Sequence, residues 1–424
     1  MEPVQPSRLA YESERGLPLR VLVLHNRYRQ WGGEDAVMDA EVKMLRANGV
    51  EVRVVLFDNE VDRGQEILGT IQLGRRSAWS LDSAHRIAQQ CREFRPHVAH
   101  IHNFWMRLTA AAHGVCQAEG VATVQTLHNF RPLCLNAQFL RQGIICQDCL
   151  GKVPWRGILR RCYRNSIFSS AAVANMIMVN RRRRTWQDMV DAFIVMSEHT
   201  RQQFITGGFP AERILLKSNF IADPGTSQAQ PSSSRSVAYI GRLSPEKGVH
   251  NLLAAWASLR FDKPARLLIV GDGPERVALQ QQARQLGFAE PDVVFTGWKT
   301  REEVQVLLSS VRAWVLPSLW FEGGGCPVSL VEALAAGRPL IVSALGGLCE
   351  MVEHERNGLH CVPGAPESLA SAVGRILSDD ALADAMGLNA RRTFEARHLP
   401  SQNFQRLMEI YAFARRHRDE RPKQ

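Results

Sequence analysis

The sequence predicts an α/β protein of two Rossmann-like, doubly wound parallel-sheet domains facing each other across a cleft. Three observations carry this. The chain has 424 residues, too many for one core of ordinary size, so two domains of roughly 200 residues each are expected. Short apolar, β-rich runs alternate with helical stretches, and they do so in two separate series. Between the series lies a segment rich in Pro, Ser and Gly, residues 223–235, with the composition of a linker.

Residues 20–25 form the first strand and 34–47 the helix after it. The strand pattern returns at 51–57, 97–101, 121–127 and 192–196, with helices at 82–94 and 107–118. After the linker, strands recur at 238–241, 267–271, 293–296, 313–317 and 340–343. Helices fall at 249–259, 274–286, 302–309 and 328–336. The domains are therefore 1–222 and 236–400, followed by a basic helix (401–416) in a tail, 401–424, that packs back on the first domain. Ligands in open parallel sheets sit at the C-terminal strand ends, which here face the cleft.

Hydrophobic content of 45% and charged content of 22% are those of a globular chain. A net charge of +10 fits phosphate-bearing substrates, nucleic acid or an anionic membrane face. The basic residues are not interleaved with aromatics and match no reading motif, which ranks nucleic acid last. Residues 1–18 have no apolar core and are no signal peptide. The longest mildly apolar run, 167–179, is interrupted by Ser169, Ser170 and Asn175 and falls short of the roughly 20 residues of a membrane span. Nine cysteines without an export signal imply reduced thiols and a cytoplasmic protein, peripheral at the inner face of the cell membrane.

The most informative run is Gly241-Arg242-Leu243-Ser244-Pro245-Glu246-Lys247-Gly248, which follows a strand and precedes a helix. Backbone N–H groups at a helix start, a guanidinium fork and a mobile ammonium suit a diphosphate. Gly271-Asp272-Gly273-Pro274 is a second glycine turn, read as structural. In Glu322-Gly323-Gly324-Gly325-Cys326-Pro327, three glycines precede a helix and allow close backbone approach of a sugar or phosphate. Glu332, near the start of that helix, offers a carboxylate to a ribose diol.

These motifs, with Phe295-Thr296-Gly297 and Glu332-Ala333-Leu334-Ala335-Ala336-Gly337, resemble the retaining glycosyltransferases of family four, which have the two-domain GT-B fold. The set spans the C-terminal domain and is specific in order and spacing. The resemblance implies that Arg242 and Lys247 hold the diphosphate of a nucleoside-diphosphate sugar, that Glu332 binds its ribose and that Glu322 contacts the transferred sugar. Nine residues separate Glu322 from Glu332, two more than the family pattern. The glycine loop therefore either bulges to present Glu322 or supplies backbone amides of Gly324 and Gly325 instead.

In the first domain, Trp31-Gly32-Gly33-Glu34-Asp35 follows the first strand and resembles the family's glycine turn. Gly32 and Gly33 then pass close to the donor phosphate. The run is not the G-x-G-x-x-G of a dinucleotide fold, which argues against a dehydrogenase. His128 ends a strand at the cleft and matches the family histidine beside the reacting sugar carbon. His102 and Asn103 end the preceding strand and are expected to line the acceptor pocket. No Asp-x-Asp occurs in the sequence, so Arg242 and Lys247 are expected to neutralise the leaving diphosphate without a catalytic metal. A nucleotide-sugar epimerase, a glycan phosphorylase and a non-catalytic membrane-associated binding protein remain alternatives on the same fold.

Cys134, Cys146, Cys149 and Cys162 are spaced C-x11-C-x2-C-x12-C in a loop, 129–164, without an evident helix or strand pattern. The spacing fits a structural four-thiolate zinc site or four reduced thiols. Arg160, Arg161, Arg164 and the run Arg181 to Arg184 flank the mildly apolar stretch. They suit an anionic leaflet or a solvated edge beside a core helix. The expected partners are thus a nucleoside-diphosphate sugar, a saccharide or lipid-linked saccharide acceptor, and an anionic membrane surface.

Overall fold

The structure, a computed structural model, describes residues 18–27, 32–58, 78–225, 229–260 and 262–421. Trp31, residues 1–17, the linker centre (226–228) and the last residues (422–424) of the tail lie outside the described residues. The first sheet contains β1 (Arg20–Arg27), β2 (Glu51–Asp58), β3 (Val98–Ile101) and β4 (Ala122–Thr126). A two-stranded antiparallel hairpin follows, β5 (Leu140–Arg141) with β6 (Ile144–Ile145). The first sheet is completed by β7 (Ala192–Val195) and β8 (Ile214–Leu216). The second contains β9 (Ser236–Ile240), β10 (Arg266–Val270), β11 (Val293–Gly297), β12 (Ala313–Leu316), β13 (Leu340–Ser343) and β14 (Gly358–Cys361).

Both sheets are parallel and run β2-β1-β3-β4-β7-β8 and β11-β10-β9-β12-β13-β14. Helices cover both faces, so the central strands are buried throughout and read as continuous apolar runs. Strand order reverses between β1 and β3 in the first sheet and between β9 and β12 in the second. These are the switch points where a doubly wound sheet opens a crevice at its C-terminal edge. The loops after β1, β3, β9 and β12 are the ones the sequence singles out.

The helix expected at 107–118 begins only at Ala111. Asn26 holds the residues before it: its Oδ1 accepts from the backbone N–H of Arg107 at 2.9 Å and of Leu108 at 3.2 Å. The loop 129–164 is not structureless either, containing the hairpin and the helix Trp155–Leu159.

The chain returns to its first domain at the end. Helix Pro400–Glu420 places Phe404, Leu407, Met408, Tyr411 and Ala414 on one stripe, at the spacing of an amphipathic helix. That stripe packs on Val21, Val23, Val98, Val124 and Ile194 of the first sheet. The Tyr411 hydroxyl reaches Nδ1 of His100 at 2.9 Å. Leu407 is fully buried in this contact. Leu407→Ala is expected to cost about 2–5 kcal/mol, measured by urea unfolding; a loss under about 0.5 kcal/mol would show that the helix is not docked in solution.

Candidate active site

The loop after β9 is shaped by its neighbours. A Cβ at Gly271 would lie 2.0 Å from the Gly241 carbonyl oxygen, and one at Gly273 would lie 2.2 Å from that of Leu243. Leu243 N–H donates to Asp272 O at 2.9 Å. The turn after β10 thus braces the loop from beneath, which is the structural role expected of it. A 3-10 turn, Pro245–Lys247, leads into Gly248, whose left-handed backbone (φ 67°) starts helix Val249–Ser258. A Cβ at Gly248 would come within 2.1 Å of the Pro317 carbonyl oxygen, so the glycine lets this loop close on the end of β12. Arg242 stands exposed on the loop.

Lys247 is partly buried and donates to Glu322 Oε2 at 2.5 Å, with Trp320 below it at 5.7 Å. The other oxygen of Glu322 accepts from Trp320 Nε1 at 3.0 Å and from the Ser318 hydroxyl. Both oxygens are therefore engaged by protein donors. Glu322 itself has a left-handed backbone (φ 53°), which turns the next residues toward the first domain. A Cβ on Gly323 would lie 2.5 Å from the His128 carbonyl oxygen, and one on Gly324 would lie 2.2 Å from Met196 Sδ. The Gly324 carbonyl accepts from Ser197 Oγ and Thr200 Oγ1, both at 3.3 Å. Asn219 Nδ2 donates to the Cys326 carbonyl at 2.6 Å.

Glu332 lies in helix Val328–Ala335 and is buried. Burial raises its pKa to about 7, against the lowering effect of Arg301, whose Nε is 3.6 Å away.

Across the cleft, Asp35 at the start of helix Gly33–Ala47 accepts from Gly32 N–H and contacts His25 Nε2, each at 2.9 Å. Asn129 Nδ2 donates to Glu34 Oε1 at 2.7 Å. About two turns further along, Glu41 is buried and accepts from the ammonium of Lys217. Its second oxygen faces His102 Nε2 at 3.4 Å and His100 Nδ1 at 3.7 Å, and among the described residues neither this oxygen nor His102 Nε2 has a hydrogen-bond partner. His102 Nδ1 lies 3.1 Å from His128 Nε2. Placing the His102 proton on Nε2, toward the carboxylate, leaves Nδ1 to accept from His128 Nε2–H. His128 then carries its lone pair on Nδ1.

Burial holds His102 well below the ordinary histidine pKa and lowers His128 despite the opposing charges of Glu34 and Glu41. Both imidazoles are thus neutral at physiological pH. Burial alone would push Glu41 up, but the Lys217 ammonium holds it below its usual value. Ligand atoms of Glu41, His100 and His102 lie within 4.8 Å of one another. His100, however, uses its nitrogens on Tyr411 and Thr126, and the Lys217 charge opposes a cation. This cluster is an ion pair with a histidine relay rather than a metal cage.

Two family models match. One described as glycosyl transferases group 1 covers residues 226–393, and one described as a glycosyl transferase 4-like domain covers residues 32–219. The chain thus carries a group 1 glycosyl transferase domain behind a glycosyl transferase 4-like domain. An uncharacterised glycosyltransferase of Methanocaldococcus jannaschii is 35% identical over 156 residues, 37% of this chain and 39% of its own. A glycogen synthase of Mycobacterium tuberculosis is 38% identical over 155 residues, 36% of each chain. These matches span well under half the length of the curated relatives.

The fold likeness runs further. The Anabaena HepE protein, solved with UDP, aligns with a TM-score of 0.63 at 19% identity, covering 93% of this chain and 100% of that one. Sucrose-phosphate synthase of Thermosynechococcus elongatus aligns at 0.67 with 18% identity, covering 93% and 98%. The fold is GT-B, two parallel-sheet domains across a cleft.

The structure brings Lys247, Glu322 and His128 together at the cleft, Lys247 on Glu322 from the second domain and the His128 carbonyl against Gly323 from the first, with Arg242 exposed on the loop after β9. It places Gly324 and Gly325 elsewhere than expected: both are buried against Met196 and Ser197, making the domain contact. Asn103 does not face an acceptor pocket, since its amide binds Asn26 O and its oxygen the Trp105 N–H. His102 is likewise buried and reaches the cleft only through His128. Glu41 and Lys217 were not singled out in the sequence. The signal for Glu41 was present: a carboxylate centred on the apolar face of its helix, among Val37, Met38, Met44 and Leu45.

Glu332 gives a pH test. Its folded pKa of about 7 lies above an unfolded value near 4.5, so its contribution to stability is lost as pH rises through that window. Glu332→Gln is expected to raise stability on the order of 2–3 kcal/mol at pH ~8 and to change little near pH ~4.5. Parallel melting curves of both proteins at the two pH values check this; equal shifts at both would remove the titration.

Proposed function

We propose that the protein transfers a sugar from a nucleoside-diphosphate sugar to a hydroxyl of a saccharide or lipid-linked saccharide, with retention and without a metal ion in the chemical step. One observation carries this reading: the His128 carbonyl rests on Gly323, and the adjacent Glu322 holds Lys247. The residue after β4 and the cation after β9 are thereby neighbours across the cleft. That is the placement needed for a group beside the anomeric carbon and a charge on the leaving phosphate.

In this reading Arg242, Lys247 and the N-terminus of helix Val249–Ser258 take the diphosphate. Gly33, exposed with no protein atom within 4 Å of where its Cβ would be, lets the donor approach from the other side. Glu332 accepts from the ribose hydroxyls. The bond from the anomeric carbon to the diphosphate oxygen breaks through an oxocarbenium-like state, and the acceptor oxygen bonds on the same face. The acceptor proton passes to the departing phosphate oxygen. His128, neutral and oriented through His102 and Glu41, adds a fixed dipole beside the reacting carbon without repelling the positive charge that develops there. The UDP in the HepE structure supports trying uridine donors first.

Arg242→Ala and Lys247→Ala are each expected to lower kcat/KM by about 100-fold or more. Gly33→Ala should melt like wild type yet lose stabilisation by the donor, read in a thermal-shift screen against UDP, GDP, ADP and their sugars. Near-normal turnover in both cation variants would remove the diphosphate assignment. Sugar products formed without an acceptor would favour an epimerase, and release of a sugar phosphate from a glycan would favour a phosphorylase.

The lipid-linked acceptor rests on a surface. Among the described residues no helix is long and apolar enough to cross a membrane. Ile144, Trp155, Leu159 and Phe168 are 72%, 53%, 68% and 76% exposed, among the exposed Arg141, Arg156, Arg160, Arg161 and Arg164. Apolar tips among arginines suit the face of an anionic leaflet. The expected segment shifts accordingly. Helix Ile167–Arg182 buries Val173, Met176 and Ile177 in the core. Arg181 donates to the Lys152 carbonyl, Arg183 lies over Trp79 and Arg184 pairs with Asp188. Flotation with phosphatidylglycerol vesicles is expected for wild type and lost in Leu159→Ser with Phe168→Ser. Equal flotation of both would remove the docking surface.

A further inference from the structure

The loop between β4 and helix Ile167–Arg182 is long for its content, with one minimal hairpin and a five-residue helix as its regular structure. Long loops with little regular structure are uncommon in compact domains and usually carry a function when ordered. Four cysteines enter from four separate pieces of it. Cys134 closes the turn begun at Phe130, donating its N–H to Phe130 O at 2.8 Å. Cys146 leaves the hairpin, its N–H bound to Phe139 O at 2.7 Å. Cys149 lies in the turn that follows, where Lys152 N–H donates to its carbonyl at 3.2 Å. Cys162 follows helix Trp155–Leu159, its N–H bound to Gly157 O at 3.0 Å.

All four thiols are free, and all four line one cavity of about 20 Å³. That is the volume of a single water or ion. Gly157 belongs to the same wall: a Cβ there would lie 3.4 Å from Cys149 Sγ and 2.9 Å from the Leu135 side chain. Arg141 and Arg160 stand at the cavity, Arg160 also paired with Asp148.

We propose that Cys134, Cys146, Cys149 and Cys162 hold one zinc ion as a structural tetrathiolate site. Four sulfur donors select zinc or an iron–sulfur cluster among biological metals, and a cavity for one ion leaves no room for a cluster. Four ligands fill a tetrahedral shell, which marks a structural rather than a catalytic zinc. The two arginines offset the negative charge of a zinc tetrathiolate. The four cysteines line the cavity without yet meeting at a point: no three of their sulfurs lie within 4.8 Å of one another. Coordination at a Zn–S distance of about 2.3 Å therefore requires the four side chains to converge on the cavity. Binding releases the thiol protons to solvent and changes no oxidation state.

The site would fix more than its own loop. Phe130, two residues after His128, packs on Phe139 inside the loop at 4.6 Å and on Phe321 of the second domain at 6.3 Å, between ring centroids. A clip on Cys134 and Cys146 holds both ends of that contact.

The test is metal content, which is independent of turnover and so of the reading above. Untagged full-length protein, purified without chelator, is expected to carry about one zinc per chain by mass spectrometry. Cys146→Ser and Cys149→Ser should each fall below roughly one tenth of that, while Cys349→Ser, at an exposed thiol elsewhere, keeps it. Should the variants not fold, the wild type still decides. Blocking thiols with a mercurial should release one zinc to a chromogenic indicator, and cobalt(II) substitution should give thiolate charge-transfer and tetrahedral d–d bands. Folded wild type without zinc, metal kept in both cysteine variants, iron with inorganic sulfide, or disulfides among the four in peptide maps would each overturn the site.

Discussion

One steric constraint organises the cleft: the backbone at Gly323 lies where any side chain would strike the His128 carbonyl. This contact joins the C-terminal edges of the two sheets at their central strands, β4 on one side and the end of β12 on the other. It needs a left-handed turn, and the chain makes two, at Glu322 and Gly323 (φ 53° and 57°). Glycine adopts such angles at no steric cost, whereas a glutamate does so against a penalty of order 1 kcal/mol. The Lys247, Ser318 and Trp320 bonds on the Glu322 carboxylate are what hold it there. The longer glycine loop thus serves domain contact, and the glutamate is kept at the cleft by being tied rather than by spacing.

On the other side the organising element is a buried charge. Glu41 and Lys217 are both withdrawn from water, a costly placement unless each is paired and hydrogen-bonded. Glu41 has one oxygen on the ammonium and the other toward His102, so its charge orders a row of neutral imidazoles ending at the cleft. Lys217 follows β8 and Glu41 sits on the helix after β1, at far ends of the domain sequence. The docked helix Pro400–Glu420 closes the same region through Tyr411 and His100. A residue in the tail therefore packs directly against the network that positions His128.

Much of the fold was legible because parallel strands covered on both faces are continuous apolar runs, and all fourteen of the helices and strands expected between 20 and 101 or 236 and 343 fall within a residue or two of their expected places. What escaped was short or atypical. β8 has three residues and β14 contains glycine and histidine, too little for a period to show. Helices Pro366–Ser378 and Asp380–Arg397 meet at Asp379, which ends one and caps the other, so no loop marks the boundary. In the site, glycines and cations could be read from chain-local motifs. The relay could not, because Glu41, His102, His128 and Lys217 are brought together by topology and their pairing exists only in three dimensions.

The two sides impose an order on the proposed chemistry. In the structure Lys247 neutralises Glu322, and each oxygen of that carboxylate already accepts from a protein donor. A diphosphate carries more charge than a carboxylate and competes for the same ammonium. As Lys247 turns to phosphate, Glu322 Oε2 loses its partner and becomes an acceptor within a buried site, where an unpaired carboxylate is costly. A sugar hydroxyl arriving with that phosphate supplies the missing hydrogen bond. The pair thus couples two halves of one ligand: phosphate alone leaves Glu322 uncompensated, and sugar alone finds it occupied. On the proposed donor assignment, selectivity for the intact nucleotide sugar over either fragment would follow from that single shared ammonium.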